Sequence, residues 1–484
     1  MSFADEVRAL AQGTVAEVGD HPAAAALRDG LERFDEPLRV AIAGRVKAGK
    51  STLLNALVGE ELAPTDVGEC TRIVTWYHDG ITYRVTVHPI DGLPRPARFS
   101  RDDGALVIDL AGTPADDIAR LDVEWPSSRL RTMTLVDTPG IDSISIDVSG
   151  RTTALLAPDD GRPTEVDAVV YLMRHAHASD VRFLEAFHDD ALARPTPVNA
   201  IGVLARADEV GACRLDAMDS ATRIADRYRR EPKLRRLVQT VLPVAGLVAV
   251  AGATLAEREF RLLARLAELD AERRDELLLT ADRFLVDDPA LPVTAVERDD
   301  LLDRLGWFGV RHAMARLAVG GVDSSAELSR SLLEVSGIEQ LRRVLVERFG
   351  ARADTLKARS LLATLEAMAP SLPGEVAARV DREIERITAS ARELLEIRLL
   401  DAVRGGALRV REVELDALER LAGGGPVTAR LGLDPDASPD ATRAAALAAL
   451  GQWQARAENP MSDRAVVEAA RVAVHLCEHL VASA

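Results

Sequence analysis

The segment from Gly44 to Ser51, GRVKAGKS, has the residue types and the spacing of a phosphate-binding loop. It matches the pattern GxxxxGK(S/T) between the strand-like run RVAIA and the helix-like run STLLNALVG, which is the context that the motif requires. Glycines let backbone N–H groups curl around phosphates, the lysine reaches the β- and γ-phosphates, and the serine hydroxyl can bind Mg²⁺. The nucleotide-binding residues predicted here are Gly44, Arg45, Val46, Lys47, Ala48, Gly49, Lys50, Ser51 and Thr52, with Lys50 also catalytic and Ser51 also a metal ligand.

A second motif, DTPG, runs from Asp137 to Gly140 and follows the β-branched run MTLV. Asp137 can hold Mg²⁺ through water, and the N–H of Gly140 can contact the γ-phosphate, so we predict a metal ligand and a catalytic residue here. Ile141 comes next, and neither glutamine nor histidine stands directly after the glycine to orient the attacking water. We therefore expect hydrolysis by the isolated chain to be slow.

The segment ARAD, which ends at Asp208 after the apolar run VNAIGVLA, is the candidate for reading the base. A carboxylate can accept hydrogen bonds from the N1–H and the amino group of guanine, a pairing that adenine cannot offer. The usual pattern is N/TKxD; here Ala205 replaces the polar residue, and Arg206, which can stack on the base, replaces the lysine. We predict that Arg206 and Asp208 bind guanine and that Ala245 and Gly246 close over it.

The elements around these motifs predict an α/β domain. From Leu38 to about Val248, eight short β-branched runs alternate with helical stretches, which indicates a largely parallel sheet with an antiparallel portion between Tyr83 and Trp125. Ligands bind such sheets at the carboxyl ends of the strands. After about Leu255 the pattern changes to long helices without a credible strand.

The C-terminal third is predicted to be an elongated helical bundle. Apolar residues repeat at helical spacing from Val376 to Leu394, on a helix predicted to exceed 40 Å at about 1.5 Å per residue. The predicted fold is an α/β P-loop GTPase domain with a mixed, mostly parallel sheet, plus an elongated all-α bundle. The predicted boundaries are N-terminal helices at 1–36 that pack with the bundle, the GTPase domain at 37–320 and the bundle at 321–484.

Composition limits the classes of partner. The 484 residues carry a formal net charge of −17, which works against nucleic-acid binding, so no nucleic-acid partner is expected. The three cysteines form no CxxC pair, which fits a reducing, cytoplasmic setting. No signal peptide or membrane span is evident, so contact with a membrane is expected to be peripheral. Only four of the 60 basic residues are lysines, and Lys47 and Lys50 share one loop.

The segment from Leu38 to Trp76, with Pro64, Gly68 and Thr71 spaced after the loop, resembles the G domain of the dynamin superfamily. The resemblance is nearest to the isoniazid-inducible dynamin-like proteins of actinobacteria, and it extends through VDTPG, ARAD, LPVAG and SGIEQLRRVLVERF over nearly the whole chain. It implies a large GTPase with a helical neck and trunk. Such a protein dimerises through its G domains and acts at the inner face of the plasma membrane.

The resemblance also implies roles for individual residues. Thr71 takes the place of the switch threonine that binds Mg²⁺ and the catalytic water, with Thr65 as the nearest competitor. Dynamins have a serine where this chain has Lys47, in a region that helps to place a monovalent cation. We hypothesise that the Lys47 ammonium supplies that charge itself and is catalytic. The alternative is that Lys47 is solvated or contacts the partner across the dimer.

Contact with lipid and the overall role leave alternatives open. Met368 and Leu372, in the turn from Met368 to Pro373, are candidates for dipping into lipid, and arginines around the RGG turn are another candidate contact. The leading function is a dynamin-like GTPase, with GTP and Mg²⁺ as ligands, that drives membrane fission or repair as a homodimer or with a related dynamin-like protein. A nucleotide-binding partner subunit with little turnover is the alternative, and a small-GTPase-like switch is a third.

Overall fold

The computed structural model describes residues 2–63, 73–102, 105–139, 165–174, 199–404, 408–423 and 425–483. Ten strands form one sheet in the order β10-β9-β8-β1-β7-β2-β6-β3-β4-β5. The strands are β1 Leu38–Gly44, β2 Thr75–Asp79, β3 Arg84–Pro89, β4 Arg95–Asp102, β5 Ala105–Asp109, β6 Ile118–Trp125, β7 Met133–Asp137, β8 Ala168–Met173, β9 Ala200–Ala205 and β10 Val241–Val244.

The sheet is parallel at one side and mixed at the other, which confirms the predicted fold class. Strands β7, β1, β8, β9 and β10 run parallel to their neighbours within that set. Strand β2 is antiparallel to β7 but parallel to β6, and β3, β4 and β5 add antiparallel pairs. The carboxyl ends of the parallel strands therefore meet at one edge of the sheet, where the predicted motifs follow them.

Strand β1 lies at the centre because both of its faces are apolar. Val40 and Ile42 are buried in one hydrophobic cluster, whereas Ala41 and Ala43 are buried in another on the opposite face. A continuous apolar run is what a parallel strand covered on both sides requires. Strands β4 and β5 were not predicted, because the β4 sequence RPARFSRD is rich in charge and contains no β-branched residue.

Helices make up the rest of the described chain. Those before and within the sheet region are α1 Phe3–Val18, α2 Pro22–Asp35, α3 Lys50–Val58, α4 Ala217–Arg230, α5 Pro232–Arg235 and α6 Gly246–Ala253. Those after it are α7 Glu257–Ala267, α8 Ala271–Leu277, α9 Ala281–Leu285, α10 Ala295–Val319, α11 Ser325–Val335, α12 Ile338–Val344, α13 Ala353–Met368, α14 Gly374–Ser390, α15 Arg392–Arg404, α16 Glu412–Ala422, α17 Val427–Leu431, α18 Pro439–Ala457 and α19 Arg464–Ser483.

The two N-terminal helices pack against the later helices α13 and α14. Arg379 and Arg386 of α14 form ion pairs with Glu17 and Glu6 of α1, at 2.6 and 2.9 Å. The ammonium of Lys357 in α13 donates to the carbonyl oxygens of Phe34, at 3.0 Å, and Glu36. The domain boundaries at 36/37 and 320/321 stay predictions.

Two expectations for the bundle are corrected. The apolar stripe from Val376 to Leu394 is buried as expected, but the helix is not continuous, because Ala391 is extended (φ −68°, ψ 115°) and separates α14 from α15. The turn between α13 and α14 does not present an apolar tip to lipid. Leu372 is buried, and Met368 is partly buried against the same cluster.

Helices long and apolar enough to cross a membrane do not occur in the part of the chain that the structure describes.

The C-terminal end of α16 is held by arginines from several other elements. Arg430, Arg352 and Arg348 donate to the last carbonyl groups of α16 and its cap, those of Leu421, Ala422 and Gly423, at 2.8 to 3.0 Å. Cations at this end also interact favourably with the helix dipole. The end of α16 is thus contacted from two separate parts of the chain, one around Arg348 and Arg352 and the other at Arg430.

Within the last turns of α16, Glu419 joins the sheet region to the bundle. Its carboxylate pairs at 2.7 Å with Arg235 of α5 and at 2.7 Å with Arg404 of α15, which is almost fully buried. Burial alone would raise the pKa of Glu419, but Arg404 and Arg235 outweigh it and hold this pKa below its usual value. The positive charges of both arginines are therefore compensated by the same carboxylate.

We predict that Glu419→Gln lowers the free energy of unfolding by about 2 kcal/mol at pH 7, because both guanidinium groups lose their charged partner. Since folding lowers this pKa, the contribution is fully present above the unfolded pKa of about 4.3 and is lost as pH falls through the folded value. Urea denaturation between pH 3 and pH 7 measures the difference.

The matched control is Glu468→Gln, which removes an exposed pair with Arg464 and should leave stability unchanged. A difference between wild type and Glu419→Gln that persisted at pH 3 would show that packing, not charge, is responsible.

Candidate functional site

The predicted phosphate-binding loop connects β1 to α3 and has the backbone that its glycines allow. Gly49 caps α3 in the left-handed region, with φ 95° and ψ 28°, and in the described part of the chain no atom lies within 4 Å of the place where a Cβ would stand. Gly44 lies so close to β8 that a Cβ there would be 2.7 Å from the carbonyl oxygen of Leu172. The loop therefore needs glycine at both ends for different reasons, one conformational and one steric.

Lys50 and Ser51 begin helix α3 at the mouth of this loop. The Lys50 ammonium donates to the carbonyl oxygens of Gly44 and Arg45, both at 3.2 Å, so that it spans the loop. Burial lowers the pKa of Lys50, and the nearby Asp137 carboxylate acts against that shift. The Ser51 hydroxyl donates to Oδ2 of Asp137 at 3.1 Å. These contacts unite the two motifs that the sequence places far apart.

Asp137 has the features of a cation ligand. Its Oδ1 is buried and has no hydrogen-bond partner among the described residues, and burial raises the pKa of Asp137 to about 6 despite Lys50 and Ser51. A buried carboxylate oxygen without a partner is costly unless a cation or water satisfies it. A carboxylate beside a serine hydroxyl is an oxygen donor set of the kind that Mg²⁺ prefers. Ser51 and Asp137 therefore fit the expected metal.

Asp208 and Arg206 follow β9 at the same edge of the sheet. Asp208 is buried, and this burial raises its pKa. Arg206 has a left-handed backbone, with φ 53°, and its guanidinium donates to the carbonyl oxygen of Lys47 at 3.3 Å and to Glu209 at 2.9 Å. Arg206 thus ties the base-reading segment to the phosphate-binding loop. The Lys47 side chain is exposed and has no ion pair or hydrogen bond in the described part of the chain.

A cavity of about 170 Å³ lies between these segments. Its lining joins the loop and α3 to the ends of β8, β9 and β10, and consists of Ala48, Gly49, Thr52, Leu53, Leu172, Val203, Ala205, Arg206, Asp208, Glu209, Val244, Gly246 and Leu247. Its walls are mainly apolar, with Asp208 and Glu209 as carboxylates and Arg206 as the cation, a composition typical of small-molecule sites.

The predicted residues differ in their position relative to this cavity, with Gly44, Arg45, Val46 and Lys47 in the part of the loop that does not line it. Ala48, Gly49, Thr52, Arg206, Asp208 and Gly246 line the cavity, and Lys50, Ser51 and Asp137 lie beside it. Ala245 does not line it, because its N–H donates to the carbonyl oxygen of Ser336 and its side chain is fully buried. Thr71 and Gly140, together with the competing Thr65, lie outside the described residues.

Seven cavity residues were not among the predicted binding residues, namely Leu53, Leu172, Val203, Ala205, Glu209, Val244 and Leu247. Glu209 and Leu247 directly follow predicted residues in the chain, and this neighbouring position is the sequence feature from which their place in the cavity could have been predicted. Leu172 belongs to β8 and reaches the site only because β8 pairs with β1, with Gly44 opposite Leu172. The sequence of β8 alone carries no sign of that position.

Comparisons with known proteins place the chain in a family. A model described as the Dynamin family matches residues 40–87. The isoniazid-induced protein IniC of Mycobacterium tuberculosis is 41% identical over 491 residues, covering 100% of this chain and 99% of IniC. A bacterial dynamin-like protein of Nostoc punctiforme is 31% identical over 163 residues, covering 31% of this chain and 22% of its own.

A solved structure of an oligomerised bacterial dynamin pair aligns with 99% of this chain and with 72% of the chain in that structure. The sequence identity is 15% and the TM-score is 0.32, so this likeness carries no functional argument. The match to IniC, by contrast, spans both chains from end to end. The chain therefore belongs to the dynamin family, in the group of bacterial dynamin-like proteins that includes IniC.

Proposed function

We propose that this protein is a Mg²⁺-dependent GTPase that couples GTP binding and hydrolysis to remodelling of the cytoplasmic membrane, by fission or repair. The observation that carries the proposal is the meeting of three groups at one edge of the sheet. Lys50 spans the phosphate-binding loop, Ser51 contacts Asp137, and Asp208 lies in the adjoining cavity. Phosphate, metal and base each have a matching group within one site.

In this proposal the chain's own groups divide the work. Lys50 exchanges its contacts with the Gly44 and Arg45 carbonyls for phosphate oxygens, while loop N–H groups bind the same phosphates. Ser51 and Asp137, with Thr71 as a further predicted ligand, hold the metal. Bound Mg²⁺ would neutralise charge on the β- and γ-phosphates. Gly140 is proposed to contact the γ-phosphate through its N–H.

Asp208 is proposed to select guanine, and Arg206 to place its guanidinium plane over the base. The arginine keeps the link between base segment and loop through the Lys47 carbonyl. Ala205, which is buried and apolar, offers no polar group to the base. That departure is the observation in favour of the second candidate, a nucleotide-binding partner subunit with little turnover.

We propose that Lys47 supplies catalytic charge. Its ammonium is exposed at the loop, where dynamin-family proteins have a serine, and its backbone is held in a left-handed conformation with φ 61°. A fixed positive charge near the transferred phosphoryl group stabilises the transition state more than the ground state. We propose further that the protein acts at the inner face of the plasma membrane. It does so either as a homodimer through its G domains or together with a related dynamin-like protein.

We expect GTP turnover per molecule to rise with protein concentration and to rise again with anionic liposomes, because dimerisation on a surface completes the site. Lys50→Ala should weaken GTP binding about 100-fold, since charge-assisted contacts to phosphate are lost. Phosphate release and calorimetry measure these effects, with Lys233→Ala, an exposed lysine on α5, as the control. Tight GTP binding with flat, negligible turnover would favour the partner-subunit function instead.

We expect Asp208→Asn to weaken GTP binding about 100-fold and to create binding of xanthosine triphosphate. The reason is that an amide side chain donates a hydrogen bond where the carboxylate accepts one. Competition binding with GTP, xanthosine triphosphate and ATP measures the change, and Asp219→Asn on the exposed face of α4 is the matched control. A wild type that prefers ATP contradicts the role given to Asp208.

We expect Lys47→Ala to keep GTP affinity within about twofold and to lower stimulated turnover at least tenfold, which is about 1.4 kcal/mol of transition-state stabilisation. Lys47→Arg should retain part of the rate because it keeps the charge. Comparing turnover in Na⁺ and K⁺ adds a second readout: wild type should be indifferent, and Lys47→Ala should recover in K⁺. Full stimulated turnover in Lys47→Ala would rule out the catalytic role.

A further inference from the structure

Helix α10 changes direction at Gly306, where it passes the cavity. The φ of 68° and ψ of 169° at Gly306 lie outside the helical region, so two helical segments meet at this residue. This combination of angles is adopted essentially by glycine alone, since any Cβ clashes with the neighbouring backbone. The helix has 25 residues, and the helix propensities of the residues around Gly306 do not explain why this one residue is non-helical.

The neighbours of Gly306 belong to the base end of the cavity. A Cβ at this position would lie 3.2 Å from Cδ2 of Leu247 and 3.9 Å from Oδ2 of Asp208. Both residues line the cavity, and Asp208 is the proposed guanine reader. The α10 backbone therefore packs directly behind the side chains that would meet the base, and a Cβ at this position would be in tight contact with Leu247 and in ordinary contact with Asp208.

Arginine contacts hold α10 on both sides of the bend, which favours movement of the Leu247 side chain over movement of the helix. Before the bend, Arg304 pairs with Glu61 and with Glu259 at 3.0 Å, and it donates to the Thr254 hydroxyl at 2.8 Å. After the bend, Arg311 donates to the Cys213 carbonyl at 3.4 Å. The buried side chains of Leu305 and Phe308, on either side of Gly306, add apolar packing. A side chain at 306 would thus displace Leu247 rather than the helix.

We propose that Gly306 is a specificity-determining position of the base pocket, which holds Leu247 and Asp208 where they recognise the guanine base of a nucleotide. The proposal rests on the proposed function of Asp208 as the guanine reader. The effect is steric. Because Gly306 has no Cβ, the Leu247 side chain packs against α10 and does not fill the cavity. The Asp208 carboxylate then stays aligned with the N1–H and amino edge of guanine.

Inosine triphosphate is the probe for this alignment, because hypoxanthine keeps the N1–H of guanine but lacks its 2-amino group. A well-placed carboxylate gains one hydrogen bond from GTP that inosine triphosphate cannot give. The ratio of the two dissociation constants therefore reports the position of Asp208. General loss of stability changes both constants together and leaves this ratio unchanged.

The test compares Gly306→Ala with Gly320→Ala. Gly320 ends the same helix with nearly the same backbone, φ 84° and ψ 169°, but no atom of the described residues lies within 4 Å of its Cβ position. Both variants should therefore show a similar loss of thermal stability. We expect Gly306→Ala to weaken GTP binding at least tenfold and to bring the ratio for inosine triphosphate over GTP close to one. Gly320→Ala should keep both values within twofold of wild type.

A double variant tests the route of the effect. Leu247→Ala should weaken GTP binding in the wild-type background and strengthen it in the Gly306→Ala background, because it removes the 3.2 Å contact. If Gly306→Ala alone does not fold, the double variant is compared with Leu247→Ala, and the two should bind GTP within twofold of each other. A double variant more than tenfold weaker than Leu247→Ala overturns the proposal, since the effect then passes through the backbone alone.

The outcomes separate this proposal from the proposed function. Wild type that prefers GTP over inosine triphosphate and ATP, with Gly306→Ala unchanged in that preference, overturns the role of Gly306 and leaves the GTPase function standing. Wild type without preference for GTP overturns the guanine-reading role of Asp208 and the present proposal with it. Loss of preference in Gly306→Ala alone, with Gly320→Ala intact, supports both.

Discussion

The placement of strand β1 between two parallel strands is the constraint on which the rest of the site depends. Its register sets Ile42 opposite Asp137 of β7 and Gly44 opposite Leu172 of β8, so the three strands end close to one another at the same edge of the sheet. A slip of one residue would exchange Val40 and Ile42 with Ala41 and Ala43 between two differently shaped apolar clusters. The contact of Ser51 with Asp137 follows from this register, because Asp137 ends β7 and Ser51 lies in the first turn of α3, which the phosphate-binding loop joins to the end of β1.

The parts of the fold and site that local sequence encodes were predictable, and the parts made by packing were not. The loop GRVKAGKS, the strand before Asp137 and the break between α1 and α2 each carry their own signal in consecutive residues. The break at Ala391 carries none, since neither glycine nor proline is there. The role of Gly306 is equally invisible, because a glycine in a helical run indicates only a weak helix former until Leu247 and Asp208 are placed beside it.

Arginine performs work in this chain that lysine performs in many others. Arg206 stands where the usual pattern has lysine, and its two-nitrogen fork contacts the Lys47 carbonyl and Glu209 at the same time, which a single ammonium does less well. Around α16, guanidinium groups reach carbonyl oxygens and a shared carboxylate from several elements at once. Of the two lysines that remain at the loop, Lys50 supplies a compact point charge that contacts the Gly44 and Arg45 carbonyl oxygens.

The contact made by Lys357 has a mechanical meaning. Helix α2 ends at Asp35 and β1 begins at Leu38, so only Glu36 and Pro37 connect the bundle side of the molecule to its central strand. The Lys357 ammonium donates hydrogen bonds to the carbonyl oxygens of Phe34 and Glu36. The ring of Pro37 fixes the φ of the residue that follows Glu36. These contacts and the fixed φ of Pro37 restrain the joint between α2 and β1. Because the phosphate-binding loop follows the other end of β1, helix α13 contacts the chain at the opposite end of the strand that carries the loop.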